Sequence, residues 1–392
     1  MRFSYYFIPA GSVIDSIKDD FQLPIKSSDG SFLALPKGCS FILDVGNQLG
    51  DGIVDHHQPG TENACVASLI TNNPKKHIGD FLSRCSAYNL VTHKNPDFDA
   101  LCSMYLTERY IAQGEFPVFS KILSDYVLEV DSGKKRLDAD HLVEPYSLIL
   151  ALSHCIYDDP TIDFNQKDYV ILERSFTLLD FIWDVLEKGH DIETFDWLTI
   201  KGFDDEIAVI RNDYNKYKSD FLMSSFQEIE LTNKYINKSE WVDCLFTNQP
   251  KSVLWKYWAR SDKVHSHSRN GFQMNVAFLP SSKTRAIISV DPNSNYTLKG
   301  LGLYLDFLEM KELLKLQSID ALIQYPREGF HRNNPWYDGR STMHDYSIID
   351  APIGGSVLSP EVISDAVKKH HIWSNVNGEF AKLKISEVLA LF

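Results

Sequence analysis

Three short apolar runs in this chain each end in residues able to do chemistry, and that pattern constrains the fold more than any other feature. They are Ser40-Phe-Ile-Leu-Asp44, Gly52-Ile-Val-Asp55 and Tyr88-Asn-Leu-Val-Thr92. Runs of this length, closed by Gly or a polar loop, suit buried strands of a mostly parallel sheet. Helix-like segments lie between and after them, at residues 62–70, 76–86, 99–113 and 119–129. The alternation predicts an α/β layered domain with flanking helices over residues 1–150. The briefly apolar N-terminus, interrupted by Pro9 and Gly11, reads as its first strand rather than as a signal peptide.

The character changes after residue 150. Leu178, Leu179, Phe181, Ile182, Val185 and Leu186 recur at helical spacing among many charges, so residues 151–240 read as a helical, acidic linking region. Strand-like runs return in Gln273-Met-Asn-Val-Ala-Phe-Leu, Arg285-Ala-Ile-Ile-Ser-Val and Ala321-Leu-Ile-Gln-Tyr, with a helix-like stretch over 304–316. Residues 241–392 are therefore expected to form a second, smaller α/β domain that binds substrate. A chain of 392 residues has room for two or three domains.

The charge narrows the partners. Asp and Glu number 53 against 39 Lys and Arg, a net charge of −14, and residues 151–250 carry 11 of the 14 excess negative charges. Such a surface repels long nucleic-acid backbone and anionic lipid. No apolar run approaches the length that crosses a bilayer. The six cysteines (Cys39, Cys65, Cys85, Cys102, Cys155 and Cys244) form no CxxC pair, and they read as buried small hydrophobes of a reducing, cytoplasmic protein.

Chemistry concentrates in two clusters, Asp55-His56-His57-Gln58-Pro59-Gly60 and His93-Lys94-Asn95-Pro96-Asp97-Phe98-Asp99-Ala100. Carboxylates and imidazole at the C-terminal end of a strand are what a Mn²⁺ or Mg²⁺ site needs. Asp97 and Asp99, two apart in an extended segment, would point different ways and serve different ions. The competing reading makes the two aspartates a helix cap and the paired histidines core groups. Both clusters, with Asp44, fall on the edge where α/β sheets bind ligands.

These residues resemble the DHH phosphoesterase superfamily, which includes RecJ-type exonucleases, nanoRNA and cyclic-dinucleotide hydrolases and family II inorganic pyrophosphatases. Asp55-His56-His57 matches the motif that names the superfamily, and His93-x-Asn95-Pro96-Asp97-x-Asp99-Ala100 is similar to its first motif. The resemblance covers residues 40–135. It implies that His93 and Asp97 hold one metal, that Asp99 and His56 hold the other, and that Asp44 bridges them. His57 would face the scissile phosphate or leaving group, with Asp55 orienting the histidines. Asp131 is the choice for the last acidic ligand, with Asp125, Asp158 and Asp159 as rivals and His154 more distant. The order of the motifs is reversed relative to the family, which implies circular permutation.

The family's usual glycine-rich accessory signature is absent. In its place stands His331-Arg332-Asn-Asn-Pro-Trp336-Tyr337-Asp338-Gly339-Arg340-Ser-Thr-Met-His344, suited to phosphate forks and base stacking, or else an ordinary surface loop. A weaker basic stretch is Trp258-Ala-Arg260-Ser-Asp-Lys263, while His265 and His267 read as a solvated loop. The function implied is a two-metal phosphohydrolase using Mn²⁺, with Mg²⁺ or Co²⁺ as alternatives. Arg332, Arg340 and His344 would bind phosphate and stabilise its charge. Its substrate would be a short oligonucleotide, cyclic dinucleotide or nucleotide rather than long duplex. An inorganic pyrophosphatase or exopolyphosphatase is the second reading, and a non-catalytic nucleotide sensor the third.

Overall fold

The computed structural model describes residues 1–315, 336–339 and 345–369, apart from residues 18, 27–29, 51, 59, 60, 62, 80–84, 237 and 353. The chain is an α/β protein with mixed sheets. It divides into two compact units: residues 1–135 with 141–211, and residues 136–140 with 212 onward.

The first unit is built on strands β1 (Arg2–Ile8), β2 (Asp15–Ile17), β3 (Asp20–Lys26), β4 (Phe32–Pro36), β5 (Ser40–Leu43), β6 (Leu49–Gly50) and β7 (Ile53–Val54). Helices α1 (Val66–Asn72) and α2 (Pro74–His77) follow, then β8 (Ala87–His93), α3 (Phe98–Gln113), α4 (Ser120–Asp131), α5 (Pro145–Asp158) and α6 (Lys167–Glu187). The main sheet has the order β1-β8-β5-β7-β6; β1, β8, β5 and β7 pair in parallel and β6 antiparallel. All four residues of β5 are buried, because both of its faces are covered. On one side Phe21, Leu23 and Leu35 of the meander β2-β3-β4 pack with Ile8, Ile42, Ile53 and Val91; α3 packs against the strands as well. That double cover is why these strands read as continuous apolar runs.

Helix α7 (Asp204–Leu222) carries the chain into the second unit, which holds β9 (Ser225–Asn233), β10 (Lys238–Asn248), α8 (Trp255–Ser261), β11 (Met274–Leu279), β12 (Arg285–Val290), β13 (Tyr296–Thr297), α9 (Leu301–Lys315), β14 (Ile348–Asp350) and α10 (Pro360–Lys368). Its sheet runs β13-β9-β10-β11-β12-β14, and among the described residues only the β10–β11 pairing is parallel. Val242, Cys244, Met274, Val276, Ile288 and Val290 bury one face against Leu301, Leu305, Ile363 and Val367.

Several expectations give way here. The unit boundary falls inside α7 rather than at residues 150 and 240, with α5 and α6 in the first unit. Residues 225–233, expected to be helical, form β9: Phe226, Glu228 and Glu230 alternate with Ile229 and Leu231, the period of a strand. Of the helix expected over 76–86, residues 80–84 lie outside the described residues; residues 74–77 form α2, started by Pro74 and capped by Asn73. Cys39 and Cys85 are not free thiols but a disulfide, with Cα atoms 6.0 Å apart. They meet because Cys39 immediately precedes β5 and Cys85 lies two residues before β8, the strand paired with β5. The four other cysteines are free. Trp336, expected to stack on bases, is 1% exposed in the core of the second unit and donates its indole N–H to Glu309. Arg260 is buried as well, donating to the Val290 carbonyl. Among the described residues no helix is long and apolar enough to cross a membrane.

Candidate metal centre

Each side chain of the centre is delivered by the end of a regular element. Asp44 directly follows β5 and adopts a left-handed backbone (φ 59°), a conformation Asp tolerates better than most residues. Its amide still pairs with the Val54 carbonyl, so the turn starts from a fixed strand end. Asp55, His56 and His57 follow β7, and His93 ends β8. Asp97 is the N-cap of α3, where its carboxylate accepts from the Ala100 amide at 3.0 Å. Asp99 lies in the first turn of α3 and Asp131 is the last residue of α4. The cap and ligand readings of Asp97 are thus compatible: one oxygen caps, the other faces His93.

The distances resolve into two groups that share one carboxylate. His93 Nε2 lies 3.3 Å from Asp44 Oδ2 and 3.9 Å from Asp97 Oδ2. His56 Nε2 lies 3.1 Å from Asp44 Oδ1, 3.9 Å from Asp99 Oδ2 and 3.8 Å from Asp131 Oδ2. Asp44, His93 and Asp97 are one set able to hold a metal ion, and His56, Asp99 and Asp131 are another. Asp44 offers a different oxygen to each.

Donor chemistry fits a hard or borderline divalent cation: imidazole nitrogen and carboxylate oxygen, with no sulfur in either set. Among the described residues Asp131 Oδ2 and His56 Nδ1 are buried with no hydrogen-bond partner, and Asp44 Oδ1 is buried facing the His56 ring. Buried carboxylate oxygens left in that condition are costly unless a cation meets them. Asp99 is 1% exposed yet accepts from the Val66 and Ala67 amides at the start of α1 (2.7 and 2.9 Å), which fixes its orientation.

The electrostatics reflect this crowding. Burial pushes Asp44 up, but His56 and His93 outweigh it and hold the carboxyl well below its usual range. Burial opposes charge on both histidines, and Asp44 overrides it, raising each to about 10. Asp99 is raised to about 7 by burial and by Asp44 beside it. Burial, then Asp99, pushes Asp131 well above the carboxylate range.

Around this core, Asp55 Oδ1 accepts from the His56 amide (2.6 Å), the His57 amide (3.0 Å) and His57 Nδ1 (2.7 Å), while Oδ2 accepts from the Asn47 amide (2.7 Å). The His57 side chain is 57% exposed, so its ring reaches solvent from a buried anchor. The rival ligands lie elsewhere. Asp125 pairs with Lys121, Asp159 holds the turn at Thr161, and exposed Asp158 sits beside His154. Arg332, Arg340 and His344 lie outside the described residues. His265 contacts Asp262, and His267 lies near Asp243 and Glu228, a further set able to hold a cation but largely exposed. The residue that sequence reasoning missed is Asp168, which bonds the Asn95 amide from 73 positions away. Comparison with family models, with curated proteins and with solved structures gives no match for this chain.

Proposed function

We propose that the first unit is the catalytic domain of a two-metal, Mn²⁺-type phosphohydrolase of the DHH kind, acting on a small phosphodiester or phosphomonoester such as a short oligonucleotide, cyclic dinucleotide or nucleotide. The observation that carries the reading is Asp44, whose two oxygens face two different histidine–carboxylate sets. The reversed motif order is compatible with a permuted domain, because β8, β5 and β7 are neighbours in one sheet.

His93, Asp97 and Asp44 would hold one ion, and His56, Asp99, Asp131 and Asp44 the other. Two such ions supply Lewis acidity, lowering the pKa of a water and offsetting phosphate charge. The chain's own part is placement and proton handling. Asp55 holds His57 through Nδ1, which leaves Nε2 as the atom that gives a proton to a leaving oxygen. Burial disfavours charge on His57, and the Asp55 contact overrides it, so the ring is held in its protonated form to higher pH than usual.

The test is Mn²⁺-dependent release of product from bis-p-nitrophenyl phosphate and from short oligonucleotides. Turnover that chelation abolishes, and that Asp97→Ala lowers by at least about 100-fold, is expected. Absence of turnover in every divalent metal would remove the enzyme reading, and full activity in Asp97→Ala would remove the site. Preference for pyrophosphate or polyphosphate over diesters would turn the reading to the pyrophosphatase class.

A further inference from the structure

We propose that Asp168, in the acidic helical region, is the positioning residue for the loop that carries the first metal group; the inference rests on the metal-centre reading above. The loop joins His93, at the end of β8, to Asp97, the cap of α3. Inside it Asn95 takes a left-handed backbone (φ 55°), a conformation Asn tolerates better than most residues and one that turns the chain sharply between the two ligands. Asp168 Oδ1 holds that turn by accepting the Asn95 amide N–H at 3.1 Å. The same oxygen accepts the Tyr157 hydroxyl at 2.6 Å, so the carboxylate is aimed from behind.

The support is itself anchored. Buried Lys167 donates to the carbonyls of Tyr157 (2.5 Å) and Asp159 (3.0 Å), tying the start of α6 to the end of α5. Tyr169 donates to the Tyr5 carbonyl and packs edge-on against Phe7, both on β1, the strand paired with β8. On the other side of the loop, the Lys94 amide bonds the Ile8 carbonyl at 2.7 Å. The segment between the two ligands is thus clamped from β1 and from α6.

The second group needs none of this. His56 comes from the end of β7, Asp99 is oriented by the α1 amides, and Asp131 ends α4. Releasing the loop should therefore disturb His93 and Asp97 and spare His56, Asp99 and Asp131. A general loss of stability would disturb both alike.

The experiment compares the full chain with Asp168→Ala and Asp168→Asn in two measurements. In the first, Zn²⁺ is titrated as a diamagnetic probe and followed by the ring resonances of His93 and His56 separately. Asp168→Ala is expected to weaken uptake at His93 about 10–100-fold with His56 unchanged. Asp168→Asn keeps an oxygen at Oδ1 and should restore binding to near that of the unaltered chain. In the second, hydrogen exchange of the Asn95 amide in metal-free protein should speed up in Asp168→Ala and not in Asp168→Asn. Equal weakening at both histidines, or unchanged protection of Asn95, overturns the proposal. If the unaltered chain takes up no metal, the metal reading fails, while the exchange measurement still decides whether Asp168 holds the loop.

Discussion

Asp44 lies between two imidazoles, and the protonation of all three is linked. His56 and His93 hold Asp44 ionised, and Asp44 holds both rings protonated to about 10. Replacing it with a neutral amide removes that support and leaves burial to act alone on the rings. In Asp44→Asn the pKa values of His56 and His93, followed by NMR, should fall by more than one unit. The linkage also sets a pH dependence. A histidine whose folded pKa is raised adds stability that is complete below 6.5 and is lost as pH rises through about 10. Metal-free protein should therefore show a thermal midpoint that drops between pH 6.5 and 10. Metal uptake must displace the same protons, so binding should tighten across that range. Calorimetry in buffers of different ionisation enthalpy should detect more than two protons released near pH 7, one from each ring and the rest from Asp99 and Asp131, whose carboxyls burial also pushes up. A midpoint that rises over this window would contradict the assignment. These residues were legible in sequence because each closes a short apolar run. Asp131 was visible only as one acid among several, since its choice depends on where α4 ends. Asp168 was not legible at all: no local pattern connects it to Asn95.

At the scale of elements, the site depends on β7, a strand of only two residues whose approach to β5 is set by Gly52. Gly52 has φ 84°, and a Cβ there would sit 2.9 Å from the Ser40 carbonyl oxygen. Its own carbonyl accepts from the Ile42 amide, so any displacement passes to β5. Gly52→Ala should destabilise the first unit by about 1–3 kcal/mol in urea unfolding and weaken metal uptake at His56. A neutral outcome in both would show that β7 adapts. The elements also show where sequence reading runs out. The apolar strands and α3 were plain from their patterns, because burial on both faces or all round leaves few polar residues. The meander β2-β3-β4 was missed, as the half-buried β3 lacks a continuous apolar run. Strand β9 was hidden by glutamates that read as part of the acidic helical stretch. Trp336 was misread for a related reason: its arginine-rich neighbours suggested a surface, whereas Asp306 and Glu309 of α9 supply partners for its amide and indole inside the core.

For the whole molecule, two units with separate cores predict two unfolding transitions rather than one. Mn²⁺ at 100 times its Kd should raise only the transition of the first unit, by about 2.7 kcal/mol for each ion bound and so by about 5.4 kcal/mol for two. Trp336→Ala should lower only the other, by about 3–5 kcal/mol, and so identify it. A single transition that both changes move would mean the units unfold together. The paired register of the main sheet has a last consequence. Ser40 stands opposite Asn89 and Ile42 opposite Val91, while Ile42 also faces Ile53. Side chains along a strand alternate between faces, so losing one residue from β5 would turn Asp44 to the wrong side without altering a single ligand. The centre is therefore defined by spacing as much as by identity. Apolar substitutions within residues 41–43 are the changes it can absorb, and one-residue deletions there are the changes it cannot.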